Sequence, residues 1–289
     1  MRRERTGYLL ILPVLLLIFG IYGYPLFDLA RISFHQTRFG FGDLEFSGLA
    51  NYGQILQDSY FHKALYNSLL WTVLNLILQL PIPLVLALML NRKFRGNTLA
   101  RVLMLVPWIT PVVVVAILTR WILEPNLGIV NTLLSSTGLI SGRISFLGSP
   151  QYALPTLMAV NTWQFIPFGT LLILAALQTV PREIYEAARV DGVGAWQLFR
   201  HILFPLLGSV IGFVGFLAFV WNFNTFALIW LTTQGGPLNT TLTLPVLIYR
   251  KAFRGFAMGE ASAMATLVGI ALVGLGILYF KYLWRRSSW

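Results

Sequence analysis

The sequence predicts an all-α polytopic membrane protein with six membrane-spanning helices, and three observations carry that expectation. Of the 289 residues, 57% are hydrophobic and 11% charged, with a mean hydropathy of +0.73. That is too apolar for a water-soluble globule of this length. Six stretches reach the roughly 20 apolar residues needed to cross a hydrocarbon core of about 30 Å. The longest segment between them, residues 28–63, offers no separate soluble domain.

The first span, about 7–27, follows the basic segment Met1–Thr6. No small-residue cleavage site precedes Tyr24-Pro25, so it reads as a retained span rather than a secretory leader. Residues 28–63, with scattered glycine among apolar residues, suit a short amphipathic cap on the outer face. Spans two and three, about 64–90 and 99–121, flank the basic stretch Arg92-Lys93-x-Arg95. An outer loop from Glu124 to Pro150 leads to span four, about 152–179. A polar island over 181–203 precedes span five, about 204–231. Gln234-Gly235-Gly236-Pro237 is a strong turn signal that stops that helix, and span six covers about 262–284. The absence of cysteine removes disulfide and thiol chemistry.

Orientation follows from basic residues. Thirteen Lys and Arg, from Arg2, Arg3 and Arg5 through Arg182, Arg189 and Arg200 to Arg285 and Arg286, lie on the side of the N-terminus. Eight, Arg38 and Arg120 among them, lie on the other, where six of the ten acidic residues, including Asp43, also fall. The bias places both termini and the polar island in the cytoplasm. The formal charge of +11 is then matched by anionic lipid headgroups, and no nucleic-acid motif accompanies it.

The island is the most specific signal. Pro181 stands where a helix can begin, Gly192 where one can stop in a left-handed conformation, and Pro205 where the next can restart. Two short helices around a tight turn are expected. Glu186-Ala187-Ala188, then Asp191-Gly192, then Ile202 and Pro205 resemble the EAA loop of the membrane subunits of bacterial ABC importers. The small Ala187 and Ala188 leave a partner surface unobstructed, while Glu186, Asp191, Arg189 and Arg200 can make charge-assisted contacts at its rim.

The resemblance covers most of the chain. Gly48-Leu49-x-Asn51-Tyr52, the EAA-like loop and Thr233-x-Gly235-Gly236-Pro237 occur in the order seen in carbohydrate-uptake permeases of the maltose type. Val193 and Gly194 depart mildly from the usual Ala-Ser, and Phe204 from the usual Leu. The resemblance implies a type I ABC importer permease fold in the cytoplasmic membrane of a bacterium or archaeon. It also implies a second homologous permease, two ATP-binding subunits, an extracytoplasmic solute-binding protein and a carbohydrate-like solute. ATP and magnesium would be held by the partner subunits, and this chain would need no cofactor or metal of its own. In the family the hairpin docks on the ATPase, so Glu186, Ala187, Ala188, Asp191, Gly192, Phe199 and Pro205 are the expected coupling residues.

Polar residues inside spans are costly unless they face a partner helix or a watery path. On span four, Asn161, Gln164, Phe165 and Phe168 fall at i, i+3, i+4 and i+7, one helical face of amides and aromatic rings. On span five, Trp221, Asn222 and Thr225 form another. Amides and hydroxyls can read sugar hydroxyls, and aromatic planes suit the C–H face of a pyranose. These segments line the transport cavity in the resembled family, although Phe165 stands where glycine, and Phe168 where tyrosine, serves maltose. Trp71, Asn75 and Gln79 on span two form a third face, read as packing.

Other functions lack residues. His35, His62 and His201 are far apart, so no metal cluster or His-based dyad is spelled out. A Gly-x-x-x-x-Gly-Lys-Ser/Thr loop is absent, so ATP would be hydrolysed elsewhere. An ion-coupled secondary transporter or a non-transporting membrane scaffold are the alternatives. The first lacks an acidic residue deep in any span, Asp28 and Glu124 being at edges.

Overall fold

The computed structural model describes the backbone of residues 2–37 and 44–286 and the side chains of residues 10–36 and 44–281. Arg38, Asp43 and the side chains of Arg2, Arg3, Arg5, Arg285 and Arg286, all used above to weigh orientation, lie outside the described residues. The chain forms two compact units, Met1–Lys63 with Leu247–Leu278 and Ala64–Val246 with Tyr279–Trp289. Among the described residues five helices are long and apolar enough to cross a membrane, or six when one bent pair counts as a single span.

In the first unit, α1 (Arg2–Ile18) passes through a π turn (Phe19–Gly23) into α2 (Tyr24–Ile32). The span therefore runs Leu10–Ile32, beyond the expected end near 27, because Pro25 does not stop the helix. Pro25 has no N–H, and its ring would crowd the carbonyl four residues back in an ordinary α turn. The π turn, closed by the Tyr24 N–H on the Phe19 carbonyl, adds a residue just before the proline. The expected outer cap contains a small sheet as well as a helix. Strands β1 (His35–Thr37) and β2 (Leu44–Phe46) pair antiparallel with His35 opposite Phe46, and α3 (Ala50–Gln57) follows.

Two polar knots hold this cap. Buried Asn51 donates to the carbonyls of Ser33 at 2.8 Å and His35 at 2.9 Å, while the Tyr52 and Ser33 hydroxyls meet at 2.7 Å. Gly48 takes φ +58°, which favours glycine. Lys251 lies in a second π turn (Arg250–Arg254) after α15 (Leu244–Tyr249). Its ammonium bridges Asp58 at 2.9 Å and Glu260 at 2.6 Å. The last helix, Met258–Arg286 (here α16), begins against the cap, with Gly259 so close that a Cβ would lie 2.1 Å from the His35 carbonyl oxygen.

In the second unit, α4 (Ser59–Gln79) and α5 (Pro81–Leu90) make one apolar run broken at Leu80. Pro81 and Pro83 withhold N–H groups from the carbonyls of Ile77 and Gln79 there. The expected span 99–121 is bent. Helices α6 (Asn97–Met104) and α7 (Val106–Ile109) lead to α8 (Val112–Ile122), and the two arms meet at 92°. Thr110 is extended at ψ 123°, as a residue before proline prefers, and Pro111 continues at ψ 137°.

The loop after α8 carries α9 (Ile129–Ser136), fastened by Asn131, which exchanges two hydrogen bonds of 2.9 Å with the backbone of Ile144. Then come α10 (Ala153–Thr179), α11 (Arg182–Val190), α12 (Ala195–Leu198), a third π turn (Phe199–Leu203), α13 (Phe204–Phe223) and α14 (Ala227–Thr232). The core lies among α5, α10 and α13, around Ala87, Phe165, Ile173, Leu177, Leu207 and Val214. Gly169 lets α10 press on α5, since a Cβ there would stand 3.0 Å from the ring of Pro83. The turn after α14 is tied to α4. Asn67 donates to the carbonyls of Asn239 and Leu242, both at 3.0 Å. Buried Gly235, at φ +91°, leaves only 3.2 Å between a would-be Cβ and Leu242.

Candidate functional site

The hairpin and the intramembrane polar cluster are both in the second unit, and one helical run joins them. Helix α11 starts after Pro181 in extended conformation, at φ −57° and ψ 143°. The proline stands one position before the helix rather than inside its first turn. Ile184, Tyr185 and Ala188 occupy the covered face, and Glu186, Ala187, Arg189 and Val190 the exposed one. The helix ends in a complete left-handed stop. Gly192 takes φ +68°, its N–H reaches the Arg189 carbonyl at 3.1 Å, and the Val193 N–H reaches Ala188 at 2.9 Å. That pair of bonds is the Schellman arrangement, which satisfies carbonyls the helix would leave bare.

The chain restarts at Ala195, where the Gln197 side chain accepts the Gly194 N–H at 3.2 Å. From there it does not stop at Pro205. The π turn Phe199–Leu203, closed by Phe204 N–H on Phe199 carbonyl, carries the helix past the proline, and Ala195–Thr232 forms one 38-residue candidate span. Pro205 is exposed in the first turn of α13. Tyr185, Leu198 and Phe199 pack on the core cluster beside Leu90, Ala100 and Met104. Val190 and Trp196 stand out at 88% and 67% exposure, with Asp191 and Gly192 exposed between them. A hairpin seated by its inner apolar residues and carrying outward apolar knobs with a charged rim can present a rigid face to another protein.

The amides converge deep in the unit. Asn161 Nδ2 on α10 donates to Asn222 Oδ1 on α13 at 2.7 Å and to Asn75 Oδ1 on α4 at 2.9 Å. Asn222 Nδ2 donates to Gln79 Oε1 at 2.7 Å, and Gln79 Nε2 reaches back to Asn222 at 3.4 Å and to Asn75 at 3.3 Å. Thr162 adds a hydroxyl to Asn75 Oδ1 at 3.2 Å. Asn75 and Gln79 are fully buried and Asn222 nearly so, while Asn161 is half-buried. Three helices are joined by an uncharged ring of side-chain amides. Asn75 and Gln79, from the α4 face expected to serve packing, are thus part of the same assembly as Asn161 and Asn222.

Beside the ring lies an aromatic platform. Phe168 and Trp221 have centroids 4.6 Å apart, Phe165 stands edge-on to Trp221 at 6.0 Å, and Trp108 from α7 meets Phe168 at 5.9 Å. Phe165 is buried, Phe168 half-buried, and Trp108 and Trp221 are about half exposed, at 49% and 45%. The rings therefore offer a face outside the packed core. Gln164 is half-buried on the same side of α10. Thr225 lies past the end of α13, where its hydroxyl donates to the Trp221 carbonyl at 3.0 Å. Trp108 and Thr162 escaped the sequence reading. A tryptophan between Pro107 and Pro111 was the available signal for Trp108, but only the 92° bend brings it to Phe168. A separate apolar cavity of about 360 Å³ lies between α8 and α10, lined by Val115, Leu118, Ile122 and Trp163 among others, with none of the ring amides.

Residues 79–288 match the model of a family described as binding-protein-dependent transport system inner membrane component. The chain is 35% identical over 293 residues to a probable ABC transporter permease protein of Brucella suis biovar 1, covering all of both chains. It is 31% identical to the sn-glycerol-3-phosphate transport system permease protein UgpA of Yersinia pestis, over 96% of this chain and 94% of that one. Its fold matches a crystal structure of a bacterial ABC transporter involved in the import of the acidic polysaccharide alginate. The TM-score is 0.85 at 24% identity, with 100% of this chain and 98% of that chain covered. With the family model spanning α5 to α16 and full-length relatives above 30% identity, the chain belongs to the family of binding-protein-dependent transport system inner membrane components.

Proposed function

We propose that the chain is one permease of an ATP-driven importer that passes a carbohydrate-like or polyol-derived solute, delivered by an external binding protein, across the inner membrane. A second homologous permease and two ATP-binding subunits complete the machine, and the ATP-binding subunits hydrolyse ATP. Both termini and the hairpin 181–203 face the cytoplasm. Relatives named for sn-glycerol-3-phosphate and alginate transport support a polyhydroxylated solute.

The observation that carries this reading is the continuous run Ala195–Thr232. It begins in the hairpin and contains Trp221 and Asn222, about 39 Å further along at 1.5 Å per residue. ATP-driven movement of the hairpin would turn this lever, opening α13 toward the outside and releasing solute from the binding protein into the cavity. Coupling falls to the exposed turn at Asp191 and Gly192, to Glu186 and Ala187 beside it, and to buried Ala188, which lets α11 lie close. Phe199 anchors the turn and Pro205 marks its passage into the lever. Solute contact falls to Trp221, Phe168 and Phe165 as stacking planes and to Asn161, Gln164, Asn222 and Thr225 as hydrogen-bonding groups.

The test is reconstitution of the whole transporter with its binding protein. Trp221→Ala and Asn222→Ala should lower solute-dependent transport while the four-subunit assembly and the affinity of the binding protein stay unchanged. Normal transport in both would remove the solute site from this chain.

A further inference from the structure

Two of the amides assigned to the solute, Asn161 and Asn222, are occupied with each other and with Asn75 and Gln79. Asn222 donates one N–H to Gln79 and its Oδ1 accepts from both Gln79 and Asn161, Asn75 closes the circuit, and among the described residues no charged group takes part. Among the described residues nothing donates to Asn161 Oδ1, on the half-buried edge of the ring. Gln79 is the last residue of α4, two residues before Pro81 and four before Pro83. The missing N–H groups make this the weakest point of that span's backbone. A side chain that ties α13 to a ready-made break in its neighbour is placed to let go.

We propose that Gln79, with Asn75 behind it, is a positioning residue of the transport reaction. It holds Asn161 and Asn222 in a closed, uncharged ring, and transport opens the ring at the Pro81–Pro83 break so that the same amides turn to the solute. The inference rests on the solute site proposed above. Exchange is feasible because polar contacts between helices in membranes are weak, so solute hydroxyls can replace amide partners one for one at little cost. A fixed charge in the ring would bind its partners too firmly for such exchange.

The chain's lack of cysteine permits a direct measurement. In the assembled transporter, purified with its partner subunits in lipid nanodiscs, Gln164→Cys reports access to the ring through its rate of modification by the neutral reagent hydroxyethyl methanethiosulfonate. Modification is read on this chain by mass. Losing the two Gln79–Asn222 bonds should shift the closed-to-open ratio roughly sevenfold. Gln79→Leu should therefore be labelled several-fold faster and, in the chain retaining Gln164, should raise ATP hydrolysis in the absence of binding protein. Should Gln79→Leu fail to assemble, Gln79→Asn keeps an amide but falls one methylene short. It too should label faster, and adding Asn222→Gln, which restores the combined reach, should return both readouts toward the parent.

Parental labelling in both Gln79→Leu and Gln79→Asn, or no restoration by the exchange, would overturn the latch. The two readings fail separately. If Trp221→Ala and Asn222→Ala transport normally while the Gln79 series behaves as described, the latch stands and the solute contact falls. If those variants lose transport while the Gln79 series labels like the parent, the solute contact stands and the latch falls.

Discussion

Lys251 is shared between two carboxylates at the outer cap, and its surroundings set a pH window. Burial pushes the Asp58 carboxyl up, but hydrogen bonds from Lys251 and the Tyr60 N–H more than offset this, leaving it below its ordinary 3.8. Burial likewise pushes Lys251 down, and Glu260 and Asp58 together bring it above its ordinary 10.5. A depressed acid stabilises the fold above its unfolded pKa and loses that contribution as pH falls through its folded pKa. A raised base stabilises below its unfolded pKa and loses the contribution as pH rises through its folded one. The contribution should be flat from about pH 5 to 9 and fade outside. Lys251→Met leaves two carboxylates facing each other and should cost about 2 kcal/mol near neutral pH. The gap in melting temperature from the parent should shrink below about pH 4, as the carboxylates protonate. A gap that is constant with pH would mean the lysine acts through packing of its stem. Gly192 is the other residue whose geometry decides an outcome. At φ +68°, Gly192→Gln should impose about 1 to 2 kcal/mol and tilt α11 against α12, so ATPase association and coupled hydrolysis should fall. Full coupling in the reconstituted variant would separate the turn from energy transfer.

Among elements, close approach does most to fix positions. Gly259 allows the start of α16 to touch the β1 backbone and Asn51. Gly259→Ala should therefore lower stability by about 1 to 3 kcal/mol through overpacking, read as a lower melting temperature of the purified chain, whereas Gly269→Ala, with open space around it, should not. Helix type and place were legible in the sequence because apolar runs of membrane-crossing length leave few alternatives. The left-handed stop at Gly192 was legible because only glycine adopts it cheaply. What could not be read were features depending on partners distant in the chain. The 92° bend follows from Pro111, but whether two short apolar arms make one span or two is settled by what they pack against. The cap hairpin has strands of three residues, too short to leave an alternation in the sequence. Asn75 and Gln79 were visible as polar residues in an apolar span, yet their pairing with Asn161 and Asn222 joins positions up to 143 residues apart. Periodicity within one helix carries no record of that.

At the scale of the whole molecule, the topology proposed from the distribution of basic residues is open to a direct test. A reporter active only outside the cytoplasm should be silent when fused after Arg95 or Gly194 and active after Asn51, Gly142 or Gly236. Activity at Gly194 would put the hairpin on the wrong side for an ATP-binding partner. The π turns before Pro25 and Pro205 share one design: five residues, then an aromatic residue, then proline. Each amounts to one surplus residue in the helical count, and one residue is worth about 100° of azimuth at 3.6 residues per turn. Everything before Phe199 is consequently out of phase with everything after Leu203. The direction in which exposed Trp196 points and the direction in which Trp221 meets Phe168 are set by that offset as much as by the residues themselves. Deleting one residue between Phe199 and Leu203 would leave every named side chain in place along the axis. It would still swing the hairpin about a quarter turn relative to Trp221 and Asn222.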